Sequence, residues 1–120
     1  MRRRNTGILG ERIAREFFGK NGYDIIETNY RCTEGEVDII ARQKDILVFI
    51  EVRTKRSRQF GSPEESITAR KKERLRAVAE RYGQEHDDIP ASWRIDVMAI
   101  QLDRNDVVKR IQLIENAVEG

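Results

Sequence analysis

The most chemically suggestive residues lie between Gly35 and Lys55, in the stretches Gly35-Glu36-Val37-Asp38-Ile39-Ile40 and Ile50-Glu51-Val52-Arg53-Thr54-Lys55. Asp38 interrupts one apolar run and Glu51 closes another. Side chains on a strand alternate between faces, so Glu51, Arg53 and Lys55 point the same way, at the strand's exit from the core. If the two stretches pair across the short Gln43-Lys44-Asp45 connection, Asp38 comes beside Glu51. Two carboxylates on one rigid surface bind Mg²⁺ or Mn²⁺ through oxygen and leave positions for water and a substrate phosphate. The ion lowers the pKa of its bound water and offsets charge on the phosphate. A neighbouring cation, Arg53 or Lys55, stabilises the pentacovalent transition state. The competing explanation is structural, an acid at a strand edge or paired with an arginine.

These residues need elements to position them. Thr6 is expected to cap a first helix that runs to Lys20, with Leu9, Ile13 and Phe17 as an apolar stripe and Gly10, Ala14 and Phe18 beside it. Asn21-Gly22 should end it, since glycine suits the left-handed position after a helix. Three strands follow: Tyr23 to Tyr30, Val37 to Ala41 and Ile46 to Ile50, the last apolar throughout and so expected to be covered on both faces. Ser62-Pro63-Glu64-Glu65 has the pattern of a capping box opening a second helix, along which Ile67, Lys71, Leu75, Val78 and Tyr82 recur. Trp93 to Ile100 and Val107 to Ile114 supply two more strands, with Trp93 expected in the core. Asp96, in an apolar strand, calls for a basic partner such as Arg94 or a residue of the second helix. The order predicts an α/β sandwich with a mixed sheet, a single domain over residues 1–120.

Charge layout favours a polyanionic partner. The net charge is only +2, but residues 24–51 hold seven acids and three bases, while residues 53–81 hold ten bases and four acids. Residues 1–20 add six bases and two acids. Bases suit phosphate contacts, and acids at the centre suit a cation at the reacting group. Arg56, Arg58, Arg70, Lys71, Lys72 and Arg74 are the candidate nucleic-acid contacts, with Lys71 in phase to lean inward. Gly61 and Ser62 lead toward a helix N-terminus that attracts anions, although plain capping accounts for Ser62. Cys32 is alone and His86, the single histidine, lies among acids, so neither a disulfide nor histidine-rich zinc chemistry is expected. No signal peptide or membrane-spanning run is seen, and a cytoplasmic location is expected.

Taken as an ordered set, the motifs resemble the YraN-like family, which is similar to archaeal Holliday-junction resolvases of the PD-(D/E)xK superfamily. The resemblance covers about Gly7 to Ala99. It rests on Gly10-Glu11 with Ala14 and Phe18, Gly22-Tyr23, Asn29-Tyr30-Arg31, the stretches around Asp38 and Glu51, Phe60-Gly61-Ser62-Pro63, Lys71 and Arg94-Ile95-Asp96-Val97. It implies a restriction-endonuclease-like fold, a central mixed sheet flanked by helices. It also implies a Mg²⁺- or Mn²⁺-dependent endonuclease acting on DNA, branched or single-stranded, and a homodimer. Asp38 and Glu51 then match the metal-binding acids, and Glu11 matches an acid that related resolvases carry on the first helix. Arg53 stands where the superfamily has a catalytic lysine. Arginine is no base at neutral pH but still balances a phosphate's charge, and Lys55 offers a replacement amine. Three functions fit: an active nuclease, a catalytically inactive nucleic-acid-binding module, and a scaffold whose charges are incidental.

Overall fold

The computed structural model describes residues 3–56 and 67–118. Helix α1 (Arg3–Lys20) is followed by strands β1 (Asp24–Cys32), β2 (Gly35–Gln43) and β3 (Ile46–Lys55). Helix α2 (Ala69–Glu85) and strands β4 (Ser92–Leu102) and β5 (Val108–Ile114) complete the domain. The strands form one sheet in the order β1-β2-β3-β4-β5. Only β3 and β4 are parallel; the other neighbours are antiparallel. Parallel strands need a long crossover, and here it carries α2. The architecture is α/β, a mixed sheet with two helices, consistent with a restriction-endonuclease-like arrangement.

Each helix covers one face. Ala14 and Phe18 of α1 pack with Ile39, Val48, Ile50, Met98 and Ile100. Leu75, Val78 and Tyr82 of α2 pack with Val37, Ile40, Leu47, Phe49 and Ile95. Alternation along Ile46–Ile50 thus sends successive side chains into two different cores, which is why the run is apolar at every position. The deepest line of α1 is Gly10–Ala14–Phe18, flanked by the partly buried Leu9, Ile13 and Phe17.

The end of α1 forms as the residues predict. Gly22 is left-handed (φ 84°), and the Tyr23 N–H donates to the Phe18 carbonyl at 3.1 Å. The Tyr23 ring closes on Phe18 with centroids 4.8 Å apart, the apolar contact that completes this kind of helix stop. Both helix starts differ from expectation. Helix α1 begins at Arg3, so Thr6 is an interior residue rather than its cap. Ser62-Pro63-Glu64-Glu65 lies outside the described residues, and Ile67 and Thr68 are not helical. Thr68 is the N-cap of α2, its hydroxyl accepting from the Lys71 N–H at 3.1 Å. Trp93 also departs from expectation. It is 40% exposed and meets the core through an edge contact with Phe49, because it stands at the start of β4.

Helix α1 approaches β3 closely at Gly10. A Cβ there would stand 1.9 Å from Thr54 Oγ1 and 2.8 Å from Thr54 Cβ, far inside contact distance. Gly10→Ala must therefore lift α1 off the sheet. We expect a loss of about 1–3 kcal/mol in unfolding free energy, the usual cost of overpacking. Urea denaturation measures it, and an unchanged midpoint would contradict the close approach.

Candidate active site

The site is built on a fork between β2 and β3. These strands pair regularly from Gln43↔Ile46 to Ile39↔Ile50 and then separate. Asp38, the next residue of β2, fills the gap with its side chain, and Oδ2 accepts the Val52 N–H at 2.8 Å. Face alternation breaks at the same place, since Val37 and Ile40 share the α2-side core while Ile39 lies on the other. Across on β1, Asn29 sits between the pairs Thr28↔Ile39 and Tyr30↔Val37, opposite Asp38. Its φ is +55°, a left-handed conformation that asparagine tolerates better than most residues. The strand distortion points the Asn29 amide at α1, where Nδ2 donates to Glu11 Oε1 at 2.9 Å. Arg15 reaches the same oxygen at 3.2 Å.

A cleft of about 690 Å³ opens over this fork. Thr6, Glu11, Arg12 and Arg15 form the α1 wall, and Asn29, Asp38, Arg53 and Thr54 belong to the floor and far side. Burial is the main cause that pushes the Asp38 carboxyl up, to about 7. The negative charge of Glu51 adds to it, Glu11 and Glu36 contribute further, and the Val52 N–H opposes them. Asp38 and Glu51 are therefore close enough to repel across the fork.

Glu51 is held differently. It is only 5% exposed and faces α2, not the cleft wall. Lys71 Nζ lies 3.4 Å and Arg53 Nη1 3.5 Å from its Oε2. Lys71 thus leans inward, as its helical phase predicts. Lys55 does not line the cleft; it continues β3 beside Gln101 of β4. Arg56 pairs with Asp106, at 2.8 Å from Nε and 2.7 Å from Nη2. Arg70, Lys72 and Arg74 are exposed on α2, and Arg58 lies outside the described residues, as do Gly61 and Ser62. His86 stacks on Tyr82 at 3.9 Å, and its Nδ1 meets the Tyr82 carbonyl.

Glu11, Asp38 and Arg53 thus line the α1-side cleft, Glu51 meets Arg53 and Lys71 on the α2 side, and Lys55 and Arg56 lie outside the cleft lining. Asn29, Arg12 and Arg15 join the site although no local sequence pattern assigns them a role there. The +4 charge of residues 1–20 is the signal that could have found the two arginines. Asn29 stands in the Asn29-Tyr30-Arg31 motif of the resemblance, which marks the position but gives it no role.

Among the described residues, no group of three or more His, Cys, Asp or Glu side chains is arranged to hold a metal ion. Two carboxylates are nevertheless what Mg²⁺ takes from proteins that present it to phosphate, the remaining positions going to water and substrate. Asp38 and Glu51 offer hard oxygen donors, and their mutual repulsion is what a cation relieves. By chemical type the two carboxylates suit such an ion.

Fold and site define a small α/β domain with an acidic fork beneath a partly basic cleft. The chain belongs to the uncharacterised protein family UPF0102, whose family model matches residues 10–100. This is the YraN family that the motifs resemble. It is 44% identical to a UPF0102 protein of Moorella thermoacetica over 98% of both chains. It is 46% identical to one of Dehalococcoides mccartyi over 97% of this chain and 94% of the relative. With a third, from Caldicellulosiruptor saccharolyticus, it shares 43% over 98% and 99% of the two lengths. No helix is long and apolar enough to cross a membrane among the described residues.

Proposed function

We propose that this protein is a divalent-metal-dependent endonuclease that hydrolyses DNA phosphodiester bonds, with Asp38 and Glu51 as the metal-binding acids. The observation that carries this is the fork: a strand separation that seats one half-buried carboxylate against the Val52 N–H while a second repels it from the next strand. Structural acids are normally arranged to meet cations. Glu51 meets two, but Asp38 meets none among the described residues and is held near Glu51 instead, at a stability cost that a bound cation removes.

When bound, the ion supplies an activated water and charge neutralisation at the phosphate. The chain's own residues do the rest. Asp38 and Glu51 supply oxygens from two different strands. Arg53, on the far side of the cleft, balances charge on the phosphoryl oxygens as the water oxygen bonds to phosphorus and the phosphorus–oxygen bond to the leaving sugar breaks. Arg12 and Arg15 line the cleft where flanking phosphates of the strand would pass. Asn29 holds Glu11 at the rim by one oxygen, which leaves the second to orient a water.

The test is direct. Full-length protein is incubated with end-labelled linear, flap and four-way DNA in Mg²⁺ or Mn²⁺. We expect cleavage of at least one substrate, abolished by EDTA and restored by excess Mg²⁺. No cleavage of any substrate in either ion would sink the proposal.

One observation favours a second reading, a nucleic-acid-binding module without turnover. Arg53 stands at the resemblance's lysine position, and Glu51 is already met by two cations. That reading predicts salt-dependent DNA binding by the wild type without cleavage, and cleavage only in Arg53→Lys.

A further inference from the structure

Glu51 presents a problem that the proposed metal site has to solve. A carboxylate this deeply covered is costly unless compensated, and both of its compensating cations meet the same oxygen, Oε2. They arrive from different elements, Arg53 from two residues further along β3 and Lys71 from the first turn of α2. Strong charge-assisted contacts between N–H and carboxylate run about 2.7–2.9 Å. At 3.4 Å the ammonium is a loose partner, and the Lys71 side chain is 38% exposed, so water can receive it. Its backbone N–H is fixed by the Thr68 cap, so the ammonium moves about a fixed root.

From this geometry, and resting on the metal-site reading above, we propose that Lys71 is a displaceable counter-ion. Its ammonium occupies the cation position at Glu51 in the metal-free protein, and a divalent ion held by Asp38 and Glu51 drives it off the carboxylate. The released ammonium then passes to the solvent that already reaches it on the α2 side of the sheet. The device also keeps the buried Glu51 charge balanced when no ion is bound. Asp38, whose Oδ2 is met by the neutral Val52 N–H, is left to attract the incoming ion.

The experiment titrates Mn²⁺ alone into the full chain by calorimetry, for wild type, Lys71→Met, Lys71→Arg and Lys72→Met. Lys72 is the exposed neighbour, so its variant removes the same charge without touching Glu51. Lys71→Met should bind Mn²⁺ roughly tenfold more tightly, because the ion no longer competes with a unit positive charge at Glu51. Lys71→Arg should lie near wild type, and so should Lys72→Met. Equal Mn²⁺ affinity in wild type and Lys71→Met overturns the displacement, and so does an equal gain in Lys72→Met. If none of the four proteins binds Mn²⁺, the metal-site reading itself fails, and this inference with it.

Discussion

Asp38→Asn should abolish divalent-ion-dependent DNA cleavage and, at the same time, make the metal-free protein more stable at pH 8. The first effect follows from removing one of two oxygen donors with charge; we expect a loss on the order of a thousandfold. The second follows from the environment of the carboxyl. An unfolded aspartate titrates near about 3.9, whereas burial and the charge of Glu51 push folded Asp38 to about 7. Between those pH values the folded state keeps a proton that the unfolded state has lost. Stability therefore falls as pH rises through that window and levels off above it. Asparagine keeps an oxygen for the Val52 N–H but carries no charge, so the variant lacks this slope. At pH 8 the gain should be on the order of 2 kcal/mol, allowing for the part of the site that water reaches. Urea denaturation in EDTA at pH 5 and pH 8 measures it. Parallel pH profiles for wild type and variant would show that the fork does not strain Asp38. A residue whose loss stabilises the fold while ending activity serves function rather than folding, so the paired result separates a site from a scaffold.

Asp96→Ala should be the most destabilising of these changes. Asp96 is fully buried, yet Arg94 Nε meets its two oxygens at 3.0 and 3.1 Å. The Asn116 N–H donates to Oδ1 at 2.9 Å, fastening the chain after β5 onto β4. The Ala117 N–H adds a bond to the Ile95 carbonyl. Arg94 Nη2 also reaches Tyr23 and Gln43, so the pair links the sheet's interior to the corner after α1. Burial raises the Asp96 carboxyl above its usual range, and Arg94 and the Asn116 N–H pull it back. Alanine would leave a largely covered guanidinium without its main partner and a backbone donor unmet. Breaking a buried pair in this way costs about 3–5 kcal/mol, a large share of the roughly 5–15 kcal/mol that holds a typical domain together. Thermal or urea midpoints would register it, and a midpoint within error of wild type would refute the pairing. Asp96→Asn, which keeps the Asn116 bond, should lose less.

Much of this fold is legible in short stretches. The Asn21-Gly22 stop, the doubly covered Ile46–Ile50 run and the Arg94–Asp96 pairing all follow from neighbours within a few residues, and all form as expected. Asp38, Glu51, Arg53 and Lys71 can also be singled out, because charged groups amid apolar periodicity stand out locally. The start of α2 at Ala69 falls after Thr68, a weaker capping residue that no strong local pattern marks, while Ser62-Pro63-Glu64-Glu65 lies outside the described residues. Trp93 misleads because size and apolarity say nothing about whether a strand end is covered.

Local chemistry by itself determined the types and order of the elements, the two-faced burial of β3 and the set of acids and bases available at its end. Periodicity and capping act over a few residues, so the chain encodes them within each segment. Only the tertiary structure decided that β2 and β3 part after Ile39↔Ile50, that Asn29 turns left-handed to hold Glu11, that Gly10 admits Thr54, and that Lys71 rather than Lys55 meets Glu51. Those outcomes depend on strand register and on how closely a helix lies against the sheet. Both are settled by contacts between residues distant along the chain, which no local pattern records.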